Sequence, residues 1–396
     1  MPLYRSWPGL ARPSTKKKPV DPRVKPGDDG LRRRSNPIGR LSRLFGLALV
    51  AGLVVGAVSV APAQTDQRAF GEPRPEATDA DRAIFANGLR QFSRVWDEHD
   101  GVGDRFNEHS CVGCHSVPVP GGSGSAASTF VLVSQGISDG AGGHVFQRLQ
   151  RRADGVTELP APPGASRRKP PMLFGLGLLD AAELRKPAGP APGPDRIIGR
   201  VGGTSSQPGR FGWKARIPDL KTFTATAFAQ ELGVGRKPGD ETYPDIAVEE
   251  IAAFVRLLGP PPGKRDIDEQ AKAGERIFGE IGCAQCHQPS LKLTRQAEAE
   301  LGHQPEIRAY TDLLLHNMGA DLADGIDEGK AGPADFRTAP LWGVSASGPP
   351  YLHDGRAHDL SEAIGLHDGE AHNTRLRWDR LSPEDRDALI SFLGTL

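Results

Sequence analysis

The stretches CVGCH, residues 111–115, and CAQCH, residues 283–287, decide how the rest of the sequence is read. Each is Cys-x-x-Cys-His, the pattern of c-type haem attachment. Cys111 and Cys114, like Cys283 and Cys286, stand one helical turn apart and can form thioethers to one haem. The adjacent His115 or His287 then offers its imidazole as the proximal iron ligand. These four are all the cysteines of the chain. Other uses of CxxC fit less well. A zinc ribbon places its pairs about 15–20 residues apart and needs no histidine after each. A redox CxxC needs one pair in a thioredoxin-like setting. A disulfide framework suits a small secreted domain.

Helices are expected around both motifs. Residues 80–97 carry Phe85, Leu89, Phe92 and Trp96 on one apolar stripe, with Thr78 or Asp79 as cap. Residues 244–259 carry Ile251, Phe254, Val255 and Leu258, and Gly259 ends them. Residues 268–281 and 382–393 repeat the arrangement, the latter opened by Ser382 and Pro383. Gly88 and Phe92 precede the first motif at the mutual spacing that Gly274 and Phe278 keep before the second. Ile251 and Phe254 answer Leu389 and Phe392. RKPPMLFG, residues 168–175, resembles RTAPLWGV, residues 337–344. Trp213 to Arg216 with Leu220 resembles His353 to Arg356 with Leu360. Helix, haem motif, loops and closing helix is the arrangement of a small cytochrome c domain. The expected fold is therefore mainly α, with two tandem cytochrome c-like haem domains, 64–258 and 265–396. GPPPGK, 259–264, is the stiff linker between them. Long Gly/Pro-rich loops follow the first motif, with a small β element inserted near STFVLVSQ, residues 128–135.

The 396 residues carry no formal net charge, but the N-terminus hides an acidic body. Residues 1–63 hold 12 of the 49 Lys and Arg and 3 of the 49 Asp and Glu, leaving a net of −9 on the remainder. That balance speaks against nucleic-acid binding and suits docking of a basic electron carrier. Arg32, Arg33, Arg34, Arg40 and Arg43, then an apolar run from Leu44 to Val60, then Ala61-Pro-Ala63, read as a cleaved signal peptide over residues 32–63. Residues 1–31 are polar and Pro-rich, a disordered leader or a mis-assigned start. The expected address is the periplasm, with no membrane span after cleavage, since the run is short of the ~20 residues a span needs.

TAPLWGVSASGPPYLHDGRAHDLSEAIGLHDGEA, residues 338–371, resembles the di-haem cytochrome c peroxidase superfamily, which includes the MauG group. FNEHSCVGCH, PPMLFGLGLLDA, RFGWKA and YTDLLLHNMG resemble motifs of its CxxC-type di-haem oxidoreductases, often labelled thiol oxidoreductases. The resemblance covers about residues 79–396. It implies two covalent haems, and leaves open a calcium ion between the halves. His115 and His287 match the proximal ligands. His367, 14 residues beyond His353, matches the second ligand of the C-terminal iron, where peroxidases commonly carry Met and the MauG group Tyr; the other reading is a loop histidine. Two imidazoles would lower that haem's potential. Trp213 matches the indole lying between the haems, or else is a core indole. Glu231, in QELG, falls near the distal acid with a two-residue length difference. His144 is a candidate sixth ligand to the first haem. Met318 is read as core and His316 as a donor behind the ligands. His109, His303 and His372 are read as surface residues.

The implied activity is reduction of hydrogen peroxide at the first haem, with electrons relayed from the second and delivered by a small carrier, a cytochrome c or a cupredoxin. Oxidation of a protein substrate is the variant seen in the MauG group. Alternatives are a di-haem electron-transfer cytochrome without peroxide chemistry, or an accessory protein of periplasmic iron handling. Thiol chemistry is disfavoured, because haem claims every cysteine.

Overall fold

Apolar stripes at helical spacing pair up when each has a partner face to bury. The structure, a computed structural model, describes residues 69–124, 130–134, 143–184, 197–234, 244–264, 267–301 and 305–396. All belong to the unit Gln64–Leu396. The leader and signal segment, residues 1–63, lie outside the described residues, as does His303. The helices are α1 (Asp79–Phe92), α2 (Cys111–Cys114), α3 (Leu176–Asp180), α4 (Leu220–Gln230), α5 (Asp245–Leu257), α6 (Glu269–Glu280), α7 (Arg295–Glu300), α8 (Val344–Ser347), α9 (Leu360–Gly365), α10 (His372–Asp379) and α11 (Pro383–Leu393).

Helix α1 packs on α5, and α6 packs on α11. A glycine lets each crossing close. A Cβ on Gly88 would stand 2.2 Å from the Glu250 carbonyl oxygen and 2.6 Å from Phe254 Cβ. A Cβ on Gly274 would stand 2.0 Å from the Ala388 oxygen and 2.8 Å from Phe392 Cβ. The ring contacts beside them recur too: Phe92 meets Phe254 at 5.0 Å between centroids, and Phe278 meets Phe392 at 5.5 Å. Thr78 caps α1 in a capping box with Asp81, Asp268 caps α6, and Ser382 caps α11 with Pro383 in the first turn.

Three expectations change. Helix α1 stops at Phe92, short of Asp97, because the next residues turn to dock on the first haem motif: the Trp96 N–H donates to the His109 carbonyl at 2.7 Å. Trp96 is still buried, at 1% exposure. The β content is also broader than one insert. A strand does form within STFVLVSQ, at Val131–Ser134, between His144–Phe146 and Ser166–Arg168. Arg105–Phe106, Leu149–Arg152 and Gly155–Glu158 make a second three-stranded sheet. Three strand pairs complete the described set, among them Leu315–Asn317 with Asp335–Arg337. The fold is mixed, helices plus small sheets. Last, helix α4 was not expected at all, and it carries Glu231 at its end.

The larger apolar core runs from Phe85 and Phe92 through Phe254 and takes in Leu291, Leu293 and Leu301 beyond the second motif. A smaller one joins Phe278, Tyr310, Trp378, Leu389 and Phe392. Residues 259–264 are tied at both ends, Gly259 N–H to the Glu72 carbonyl and Lys264 N–H to the Thr395 carbonyl.

Candidate di-haem site

Each Cys-x-x-Cys-His lies on the wall of its own cavity. The first, about 220 Å³, is lined by Cys111, Cys114 and His115 with Phe92, Phe228 and Glu231. The second, about 310 Å³, is lined by Cys283, Cys286 and His287 with His353 and His367. The four thiols are unpaired. Lining different cavities, the two pairs do not form one four-thiolate site. Burial pushes the Cys111, Cys114 and Cys283 thiols up to about 12. Such thiols are poor redox nucleophiles.

Both motif histidines are aimed by their backbone partners. His115 Nδ1 lies 3.0 Å from the Pro171 carbonyl oxygen and 3.2 Å from that of Gly122. His287 Nδ1 lies 3.1 Å from the Tyr310 carbonyl oxygen. A carbonyl only accepts, so Nδ1 carries the proton and Nε2 keeps its lone pair for a metal. Tyr310 holds its carbonyl there with φ at 52°, a backbone conformation costing roughly 1–2 kcal/mol outside glycine. Burial lowers the proton affinity of His115. Burial, then the nearness of His367, brings His287 down to about 4. Neutral imidazole is the form that binds iron. Apolar walls, two free thiols and an aimed, neutral histidine fit a covalently held haem in each cavity.

His367 lies half-buried on the wall of the second cavity, its Nδ1 2.7 Å from the Ala363 carbonyl one turn back on α9. Its proton affinity is also lowered by burial. Trp213 lines both cavities, together with Lys169, Phe211 and Phe223. Its indole N–H donates to the Lys169 carbonyl at 2.9 Å. Glu231 lies on the wall of the first cavity. Asn107 Nδ2 donates to its Oε2 at 3.2 Å, and its main-chain oxygen takes the Asn107 N–H at 2.7 Å. Burial raises the Glu231 carboxyl to about 7, against the Asn107 donor, which lowers it.

Other candidates fall differently. His144 sits on a strand whose flanking Gly143 and Val145 line the first cavity while it does not, as alternation requires. Met318 is not core: it is half-buried and lines the second cavity. His109 is half-buried rather than on the surface, its ring 4.2 Å from Phe106 and its Nδ1 3.0 Å from the Trp96 carbonyl. His372 is exposed beside Asp368. His316 is buried between two carboxylates, Nε2 3.0 Å from Asp312 and Nδ1 2.9 Å from Glu370. Burial pulls its proton off; the hydrogen bonds to Asp312, Cys286 and Glu370 outweigh that and hold it up to about 12. Glu370 was missed by sequence reading. It also takes the N–H groups of Ile198, Gly199 and Asn317, and so ties two stretches of chain, 198–199 and 316–317, to its own.

Residues 224–396 match the family described as "Di-haem oxidoreductase, putative peroxidase". This part of the chain is thus similar to the di-haem oxidoreductases. The matched residues include the second Cys-x-x-Cys-His motif. Cytochrome c551 peroxidase of Pseudomonas aeruginosa is 26% identical over 176 residues, 40% of this chain and 46% of that protein. The chain thus spans about half the length of the curated relative it matches. Among solved structures, hydrazine synthase of Kuenenia stuttgartiensis has a TM-score of 0.44 at 15% identity, over 89% of this chain and 100% of that one. The diheme peroxidase BthA of Burkholderia thailandensis has 0.42 at 14%, over 83% and 87%. A MauG-like protein associated with microbial copper homeostasis has 0.37 at 16%, over 84% and 95%. No described helix is long and apolar enough to cross a membrane.

Proposed function

We propose that the chain is an exported, periplasmic di-haem c-type oxidoreductase that reduces hydrogen peroxide. In this reading residues 64–258 and 265–396 each hold one covalent haem, on Cys111, Cys114 and His115, and on Cys283, Cys286, His287 and His367. One observation carries the reading: a neutral, aimed histidine and a carboxyl poised near pH 7 line one cavity, which shares the Trp213 wall with a second. When bound, haem would supply the iron chemistry that cleaves the peroxide O–O bond and passes the electrons.

The protein's part is proton handling and alignment. Glu231 takes the proton of incoming peroxide and returns it to the departing oxygen, as a general base and then acid. Asn107 fixes Oε2, which leaves Oε1 for the proton. The apolar wall about Phe92 and Phe228 keeps bulk water away. Trp213, pinned through its N–H, keeps a fixed indole on the shared wall. The acidic body suits a basic electron carrier, a small cytochrome c or cupredoxin, and the cytochrome c551 peroxidase likeness supports that class of donor.

Ferric absorption spectra test this. Peroxide or cyanide should shift a high-spin band in the half-reduced protein. His367→Ala should turn the second haem high-spin and leave the first unchanged. Two low-spin haems indifferent to both ligands in every redox state would instead make the chain an electron-transfer cytochrome. No spectral change in His367→Ala would remove that residue as a ligand.

A further inference from the structure

Lys214, next to Trp213, is fully buried, at 0% exposure. A buried ammonium survives only if its three N–H groups and its charge are all answered. Four oxygens surround this one. Its Nζ lies 2.8 Å from the Gly332 carbonyl oxygen, 3.1 Å from that of Pro333, 3.2 Å from that of Asp335 and 3.1 Å from Asp324 Oδ1. Asp324 is itself buried and paired with Arg168, whose other arm reaches Glu328. Three main-chain carbonyls and a carboxylate, converging from a segment over a hundred residues along the chain, are the donor set of a hard-cation site. Here the cation is a side chain. The spacings are those of N–H to O hydrogen bonds, about 2.7–3.2 Å; calcium sits at about 2.3–2.6 Å with six to eight oxygens.

The cage acts on Trp213. The Arg337 N–H donates to the Trp213 carbonyl at 2.8 Å, and Arg337 Nε to that of Gly212 at 3.1 Å, on the strand that begins at Asp335. Lys214 Nζ lies 4.3 Å over the Phe336 ring, Phe336 stacks on His353 at 4.0 Å, and His353 meets Trp213 edge-on at 6.4 Å. Beyond Lys214 the chain turns sharply, with Ala215 at φ 48°.

We propose that Lys214 is a tethered cation that fills this carbonyl cage in place of a metal ion, and so fixes Trp213 on the wall between the cavities. It is a positioning residue. The inference concerns contacts within the polypeptide and stands whether or not peroxide is the substrate. The residues here do not suit calcium: the cage is closed by the lysine itself.

The test uses the mature holoprotein and the variants Lys214→Ala and Trp213→Phe, with fluorotryptophan incorporated. Wild type should contain no calcium by elemental analysis, and its melting temperature should ignore EGTA and added calcium. Lys214→Ala should melt lower. Calcium or ethylammonium chloride should raise its melting temperature, and tetramethylammonium chloride, too large for the cage, should not. The fluorine resonance missing from Trp213→Phe should shift or broaden in Lys214→Ala and return with ethylammonium. One equivalent of calcium in wild type overturns the proposal. So does a folded Lys214→Ala that no small cation stabilises, or whose Trp213 resonance is unmoved. If Lys214→Ala does not accumulate, the wild-type calcium content and EGTA response decide.

Discussion

Exchanging Glu231 for glutamine is expected to slow peroxide reduction by about 10²–10⁴-fold, the usual worth of a positioned acid–base group. Glutamine keeps the shape and can still bond Asn107, but it cannot carry the proton. The wild-type pH profile should show the same group. The carboxylate is the competent base, so kcat/KM should rise as pH rises through about 7, and the glutamine variant should lack that limb. Stability runs the other way. Burial favours the neutral carboxyl, so the folded state holds the proton between 4.5 and about 7, where the unfolded chain has lost it. Wild type should therefore lose stability relative to Glu231→Gln as pH rises across that window, and the difference should level off above it. Turnover, haem content and chemical denaturation at several pH values check both statements. A variant as fast as wild type at every pH would take Glu231 out of the chemistry.

The second large effect is on folding. Gly274→Val should cost at least about 3 kcal/mol, the upper end for overpacking a tight contact. Its Cβ would land 2.0 Å from the Ala388 carbonyl oxygen, main chain that cannot swing aside. Helices α6 and α11 would have to part, and both carry walls of the second cavity, Phe278, Leu389 and Leu393 among them. Gly279 is the control. It lies on the same helix, is exposed and has nothing within 4 Å of an added Cβ. Gly279→Ala should stabilise by about 0.5–1 kcal/mol through backbone entropy alone. Urea denaturation of the two variants separates helix propensity from crossing geometry. Equal stability of Gly274→Val and wild type would mean that the crossing is not as drawn.

Those glycines show what the sequence could disclose. Gly88 and Gly274 stand at equal distances from Phe92 and Phe278, and each touches the residue four before the answering Phe254 or Phe392. Such pairs are legible because a helix repeats its faces at fixed intervals. The count of 14 from His353 to His367 comes from the resemblance instead, and His367 lies on the wall of the second cavity, just past α9. Strands of two to four residues are too short to show alternation, so the small sheets were mostly hidden. The failure of His144 as a cavity residue follows from strand register alone, Ser134 opposite it, and register is not written in one strand. Helix α4 had its signals, Asp219 as cap and Leu220, Thr224 and Phe228 on one side, but threonines dilute its apolar stripe. Lys214 gave no sign, since a lysine reads as surface until carbonyls far along the chain enclose it.

Haem stoichiometry tests the central claim most directly. The mature protein, made in cells competent for cytochrome c maturation, should give two haems per chain by pyridine haemochrome, neither extractable by acidified acetone. Tryptic fragments bearing Cys111 with Cys114 and Cys283 with Cys286 should each carry one. A single equivalent, extractable haem or a colourless protein would contradict the account.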